Sequence, residues 1–244
     1  MQLEELQAAF QERGLQKYRA AQVYRWLHQR GAASFEEMTD LSKPLRAALD
    51  ESFELRNAEI AIRRVSKLDG TVKYLFRLND GETVESVLMQ YKHGYSICIS
   101  TQVGCRMGCT FCATGKSGFS RNLTAGEMLA EIQTAQKDLG TRISNVVLMG
   151  MGEPLDNYQN VLRFLGLVSS ENGLNIGMRH ISLSTCGLVD RIYDLADRKL
   201  QLTLSVSLHA PNDEIRSRTM PVNKKWNVEA LLKSCRYYSD VTGR

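Results

Sequence analysis

The chain has 244 residues, 43% of them hydrophobic and 24% charged, the balance of a folded protein and not of a disordered one. Met1 to Gly14 carries three acidic residues and neither a basic start nor a continuous apolar stretch, which excludes a secretory signal, and no apolar run approaches membrane-spanning length. A net charge of +4 tolerates a polyanionic partner but lies below the strongly basic signature of a domain that lives on nucleic acid, so a soluble cytoplasmic enzyme is expected.

Residues 1 to about 55 read as helices, because Leu3 to Arg13, Tyr18 to Arg30 and Leu45 to Leu55 repeat apolar residues at three- and four-residue steps, with Gly14 and Gly31 between them. From Glu59 the period shortens. Ile60-Ala61-Ile62, Val72 to Leu78 and Val84 to Met89, separated by Asp69-Gly70 and Asn79-Asp80-Gly81, predict a small antiparallel sheet. Residues 1–92 are expected to form an accessory module, helical and then β.

Strands then alternate with helices: Ser96 to Thr101, Asn145 to Gly150, His180 to Thr185 and Leu202 to Leu208, with helices such as Ala125 to Leu139 and Tyr158 to Val168 between them. Thr124-Ala125-Gly126-Glu127 is a capping-box sequence that fixes one helix start. The default is a right-handed parallel β/α series over residues 93–244. Four core strands are too few to close a barrel.

The six cysteines include Cys105, Cys109 and Cys112 within eight residues, a C-x3-C-x2-C spacing on a glycine-bearing loop. Such crowding favours metal or redox chemistry over disulfides. Three thiolates on one loop suit a 4Fe-4S cluster with one iron left open. A zinc loop, closed by His209 or Cys186, and plainly buried thiols are the alternatives. The cysteine loop, Gly152-Glu153, Ser184 and Ser207 fall at or just beyond the ends of successive strands, the ligand-binding edge of an α/β domain. Gly150 and Gly152 are read as letting the backbone approach a ligand.

The triad with Phe111 before its last cysteine, together with Gln102-Val103-Gly104-Cys105, Gly118 to Leu123, Gly150 to Leu155, Ser207 to Asn212 and Pro221 to Lys225, resembles the RlmN and Cfr branch of the radical S-adenosylmethionine superfamily along essentially the whole chain. The resemblance implies a partial (β/α) barrel, one 4Fe-4S cluster on Cys105, Cys109 and Cys112, and S-adenosylmethionine on Gly152, Glu153, Ser184, Ser207, Leu208 and His209. It implies methylation of carbon 2 of an adenine in 23S ribosomal RNA, with transfer RNA as a second substrate. A 5'-deoxyadenosyl radical activates a methyl group carried on a cysteine, Glu85 accepts the ring proton, and Cys98 releases the adduct by disulfide formation. Read without the family, Glu85 is a solvated strand carboxylate and Cys98 a packed strand cysteine.

A flavodoxin-type electron donor, a monomer and no membrane contact are further expectations of the resemblance. No cysteine follows Cys235, which matches no functional position, and neither does Cys186; the methyl-carrying cysteine is therefore expected beyond this chain, making it a fragment of a longer enzyme. Lys17, Arg19, Arg25, Arg30, Arg63, Arg64 and Lys67, interleaved with Tyr18, Tyr24 and Trp26, are candidates to grip RNA, or else solvated helix faces. The rival functions are a Cfr-type carbon-8 methylase and a non-enzymatic zinc or RNA-binding module.

Overall fold

The computed structural model describes residues 1–55 and 57–244. Three amphipathic helices come first: α1 (Leu3–Glu12), α2 (Lys17–His28) and α3 (Lys43–Ser52), each burying one stripe that includes Leu6, Phe10, Val23, Tyr24 and Leu49. A short strand series follows, β1 (Glu59–Val65), β2 (Val72–Arg77), β3 (Thr83–Tyr91) and β4 (Gly94–Cys98), all paired antiparallel. After β4 come β5 (Gln102–Gly104), α4 (Ala113–Lys116), β6 (Phe119–Asn122) and α5 (Ala125–Leu139). The remaining elements are β7 (Ile143–Leu148), α6 (Tyr158–Ser169), β8 (Ile181–Thr185), α7 (Val189–Asp197), β9 (Thr203–Val206), α8 (Asp213–Thr219) and α9 (Val228–Thr242).

One seven-stranded sheet runs in the order β1-β2-β3-β4-β7-β8-β9. The last four of these strands are parallel, and β5 and β6 form a separate antiparallel ribbon. The expected module boundary at residue 92 lies in the turn between β3 and β4, and the sheet passes through it without a break, with Val87 opposite Cys98. Among the described residues the parallel strands do not close on themselves, and no helix is long and apolar enough to cross a membrane.

Side chains alternate across a strand, so the register sorts this sheet into two faces. Ile97, Val146, Leu148, Ile181 and Leu183 share one face and are fully buried in the core with α5, α6 and α7. The other face carries Cys98, Val147, Ser182, Ser184 and Ser205, all only half-buried. Parallel strands covered on both sides normally read as unbroken apolar runs. Ile181-Ser-Leu-Ser-Thr185 and Thr203-Leu-Ser-Val206 alternate instead, because helices cover one face only.

The capping box at the start of α5 is formed in full. Glu127 N–H donates to Thr124 Oγ1 at 3.3 Å, and Thr124 N–H and Oγ1–H donate to Glu127 Oε2 at 2.8 and 2.9 Å. Gly140 ends the helix in the left-handed region. Thr124→Ala removes the side-chain half of the box and is expected to lower stability by ~1–2 kcal/mol. Urea unfolding measures this; an unchanged midpoint would mean that packing alone holds the helix start.

Candidate cluster and cofactor site

The cysteine loop leaves β5 at Gly104 and returns as β6. Cys105 N–H donates to Gly118 O at 2.7 Å, Cys112 N–H to Cys109 O at 3.1 Å, and Thr110 N–H to Thr219 O at the end of α8 at 2.9 Å. All three thiols are half-buried. Burial raises the Cys105 thiol to about 11, and Cys109 and Cys112 within Coulombic reach add to the rise. Cys109 is raised by burial as well, with Cys112 the next cause. Three mutually repelling thiols become favourable as thiolates only beside a cation centre.

Cys186 lies off this loop, within Coulombic reach of Cys105 and Cys109. Its thiol is buried and pushed far up, by burial first and then by the neighbouring Glu153 carboxylate. His209, with a left-handed φ of 54°, sets its ring edge-on against Phe111 of the triad, centroids 4.8 Å apart. Among the described residues no three His, Cys, Asp or Glu side chains gather around a single point, as one zinc ion needs. A cluster spreads its thiolates over separate iron corners, and three thiolates leave the fourth iron open, so this donor set fits a 4Fe-4S cluster.

The segment after β7 is locked against the cysteine loop. Glu153 N–H donates to Gln102 Oε1 at 2.9 Å, while the Gln102 amide donates to Asn122 and Asp156, each at 2.8 Å. The Glu153 carboxylate is buried and accepts from the Leu155 N–H at 3.0 Å and the Cys186 N–H at 2.7 Å. Burial raises its pKa, against those hydrogen bonds. Gly150 and Gly152 pack closely against the chain itself. A Cβ on Gly150 would stand 2.7 Å from Ile99 O, and one on Gly152, at φ +99°, would stand 2.6 Å from Gln102 Cβ. The protein's own chain occupies the space that these glycines free.

The half-buried sheet face continues past β4 into the antiparallel strands. Cys98 ends β4, directly opposite Val87, and Glu85 lies two residues from Val87 on the same face. Burial raises the Cys98 thiol to about 11. Glu85 pairs with the Lys73 ammonium at 2.8 Å, both side chains about half exposed. Ser184 sits on this face beside Ser205. Ser207 follows β9, its N–H donating to Thr185 O at 2.9 Å, and Leu208 and His209 lead from there to Phe111. Glu85, Cys98 and Ser184 thus share one open face, which the cysteine loop and residues 207–209 border.

Two residues at this edge carry no sequence expectation of a role. Arg216 on α8 is fully buried, its guanidinium bonded to the carbonyls of Cys186, Ser207 and Leu208. Asn223, inside the noted Pro221 to Lys225 stretch, accepts from it at 2.9 Å. A lone arginine in a charged segment reads as solvated, and only the fold reveals its carbonyl cage.

The basic N-terminal residues are partly engaged within the protein. Arg63 is ion-paired to Asp138 at 2.8 Å, and Arg30 and Arg19 lie over Trp26 and Tyr18. Tyr24 is core, 2% exposed, which withdraws it from any base-stacking role.

Residues 99–244 match the Radical SAM superfamily model, and residues 1–55 match the model described as ribosomal RNA large subunit methyltransferase N-terminal domain. The probable dual-specificity RNA methyltransferase RlmN of Clostridium novyi is 51% identical over 242 residues, covering 99% of this chain and 71% of its own length. The protein of the same description from Bacillus licheniformis is 49% identical over 246 residues, covering 100% of this chain and 68% of its own. The crystal structure of a radical SAM methyltransferase from Sphaerobacter thermophilus superposes with a TM-score of 0.94 at 42% identity, over 100% of this chain and 72% of that one.

Proposed function

The chain belongs to the RlmN family of radical S-adenosylmethionine RNA methyltransferases, and from that membership we propose how its residues divide the work. The cofactors are one 4Fe-4S cluster and S-adenosylmethionine. Cys105, Cys109 and Cys112 hold the cluster, and Gly152, Glu153, Ser184, Ser207, Leu208 and His209 hold S-adenosylmethionine beside it. Glu153 has two backbone N–H groups on its carboxylate and retains lone pairs for a substrate ammonium. Bound there, the cluster supplies the electron that breaks S-adenosylmethionine and so makes radical attack possible at an unreactive aromatic carbon.

The substrate is carbon 2 of an adenine in 23S ribosomal RNA, and transfer RNA is the second substrate. The support is the matched N-terminal domain and the dual-specificity description of the relatives, which favour this product over the carbon-8 one. Glu85 accepts the ring proton and is held ready by Lys73. Cys98, on the same sheet face, supplies the thiol for the disulfide that frees the product. Residues 1–92 bear on the RNA and contribute Glu85, and residues 93–244 carry the cluster, the cofactor site and Cys98; the protein works as a cytoplasmic monomer, reduced by a flavodoxin-type donor.

The observation that carries this reading is the convergence of the triad loop, Glu153 and residues 207–209 around the open face that holds Cys98 and Glu85. Anaerobic reconstitution with iron and sulfide tests it. About four irons per chain and a broad visible band, perturbed by S-adenosylmethionine, are expected of a 4Fe-4S protein. The Cys105, Cys109 and Cys112 triple alanine variant should lose iron and colour together. A colourless wild type that takes up zinc instead refutes the assignment.

A further inference from the structure

Among the described residues Arg216 is one of the largest side chains that are completely buried, and its environment is unusual for a cation. Nε donates to Leu208 O at 3.1 Å, one terminal nitrogen to Asn223 Oδ1 at 2.9 Å, and the other to Cys186 O at 2.6 Å and Ser207 O at 3.2 Å. All four acceptors are neutral. Among the described residues no carboxylate stands within ion-pair distance of it. Asn223 is itself held by Asp213 Oδ1 at 2.9 Å and Ser217 Oγ at 2.8 Å. The Asp213 carboxylate lies within Coulombic reach through Asn223 but makes no direct ion pair, and a buried charge so indirectly paired costs several kcal/mol, roughly, even when hydrogen-bonded.

Further negative charge is available on the side of the cysteine loop. Arg216 is within Coulombic reach of Cys109, and α8, which carries it, receives the Thr110 N–H of that loop at Thr219 O. The carbonyls it gathers belong to the segments just after β8 and β9, which include the cofactor residues Ser207 and Leu208.

We propose that Arg216 is a positioning residue with two linked tasks: its fork fixes the 186 and 207–208 segments for S-adenosylmethionine, and its buried cation is the counter-charge of the thiolate-bound cluster. The inference rests on the cluster and cofactor assignments made above. It explains why an arginine is spent where a neutral amide could bond the same carbonyls.

The test compares Arg216→Lys, Arg216→Met and Asn223→Ala with the wild type after reconstitution. The readouts are iron content, the cluster midpoint potential by EPR-monitored titration, and the S-adenosylmethionine dissociation constant from the change in the EPR signal. Arg216→Met should move the potential to more negative values and weaken S-adenosylmethionine roughly 10-fold or more, the cost typical of losing an outer partner of a metal site. Arg216→Lys keeps the charge but cannot fork to three carbonyls, so its potential should stay near wild type while S-adenosylmethionine weakens. Asn223→Ala should behave as a milder form of the lysine variant.

A purely structural role predicts that lysine and methionine behave alike, which overturns the counter-charge half. Unchanged S-adenosylmethionine affinity in the lysine and Asn223→Ala variants overturns the positioning half. If the methionine variant does not fold, the other two still decide that half, and equal potentials in wild type and Arg216→Gln then decide against the charge. A wild type that binds no cluster refutes the underlying assignment instead, a result distinct from any of these.

Discussion

Gly104→Ala is expected to prevent the cysteine loop from adopting its native path. Gly104 ends β5 with a φ of +76°, one residue before Cys105, where β5 and β6 shift register between Val103 and Gly104. A Cβ there would stand 2.0 Å from Gly118 O and 2.9 Å from Gly118 C. Both are backbone atoms, and Gly118 O is the acceptor of the Cys105 N–H, so no side-chain rotation relieves the clash. Left-handed backbone in an alanine costs ~1–2 kcal/mol and overpacking a further ~1–3 kcal/mol, so a loss of roughly 2–5 kcal/mol is expected. The loop is the cheapest part to sacrifice, and the penalty should appear as ribbon disruption before global unfolding. Iron uptake on reconstitution and the urea midpoint check this together. Full iron binding by Gly104→Ala would show that the β5–β6 path is not needed to gather the thiols.

The parts legible in the sequence are those whose causes are local. The α5 start follows from Thr124 and Glu127 three residues apart, and the three N-terminal helices from their apolar period, although α3 ends at Ser52, short of the expected Leu55. The triad is legible because its three thiols are neighbours in the chain. The strand expected from Ser96 to Thr101 stops at Cys98: Ile99 N–H still donates to Val147 O, but Ser100 N–H turns to Glu131, and the Thr101 and Gln102 N–H groups to Met151 O. The β5–β6 ribbon was not foreseen, since Phe119–Asn122 has no apolar alternation and exists only by pairing with 102–104. Arg216 was equally hidden, because every acceptor of its guanidinium lies on another segment, up to 30 residues away. The close packing of Gly150 and Gly152 is equally non-local, since the atoms that crowd them belong to Ile99, Ser100 and Gln102.

Stability should fall as the pH rises from about 6.5 to 8, and Glu131→Gln should remove much of that fall. Glu131 on α5 is wholly buried behind the open face; its Oε2 accepts from the Ser86 hydroxyl and from Ser100 N–H, and its Oε1 has no partner among the described residues. Burial, the largest cause, raises its pKa from 4.5 to about 8, against those two hydrogen bonds. Between those values the folded chain holds a proton that the unfolded chain has released, so the contribution of this group declines with pH throughout that window and is level above it. The raised value corresponds to roughly 5 kcal/mol across the window at 1.36 kcal/mol per pH unit. Glu153, also raised by burial, adds in the same direction. His28 acts oppositely: burial lowers it from 6.5 to about 4, so its contribution is complete above pH 6.5 and is lost as the pH falls towards 4. The two nearly cancel where their windows overlap, between about pH 4.5 and 6.5, and the net fall lies between about pH 6.5 and 8. Glutamine keeps a carbonyl for Ser86 and Ser100 but cannot ionise, so its urea midpoint should change little between pH 6 and 8 beyond the share of Glu153. Parallel declines in wild type and variant would mean that Glu131 is already ionised in the folded chain. The neutral form also protects the site: Ser100 Oγ donates to Glu85 O at 2.7 Å and accepts from Met151 N–H at 2.9 Å, so the carboxyl that holds Ser100 sets the strand of Glu85 against the loop of Glu153.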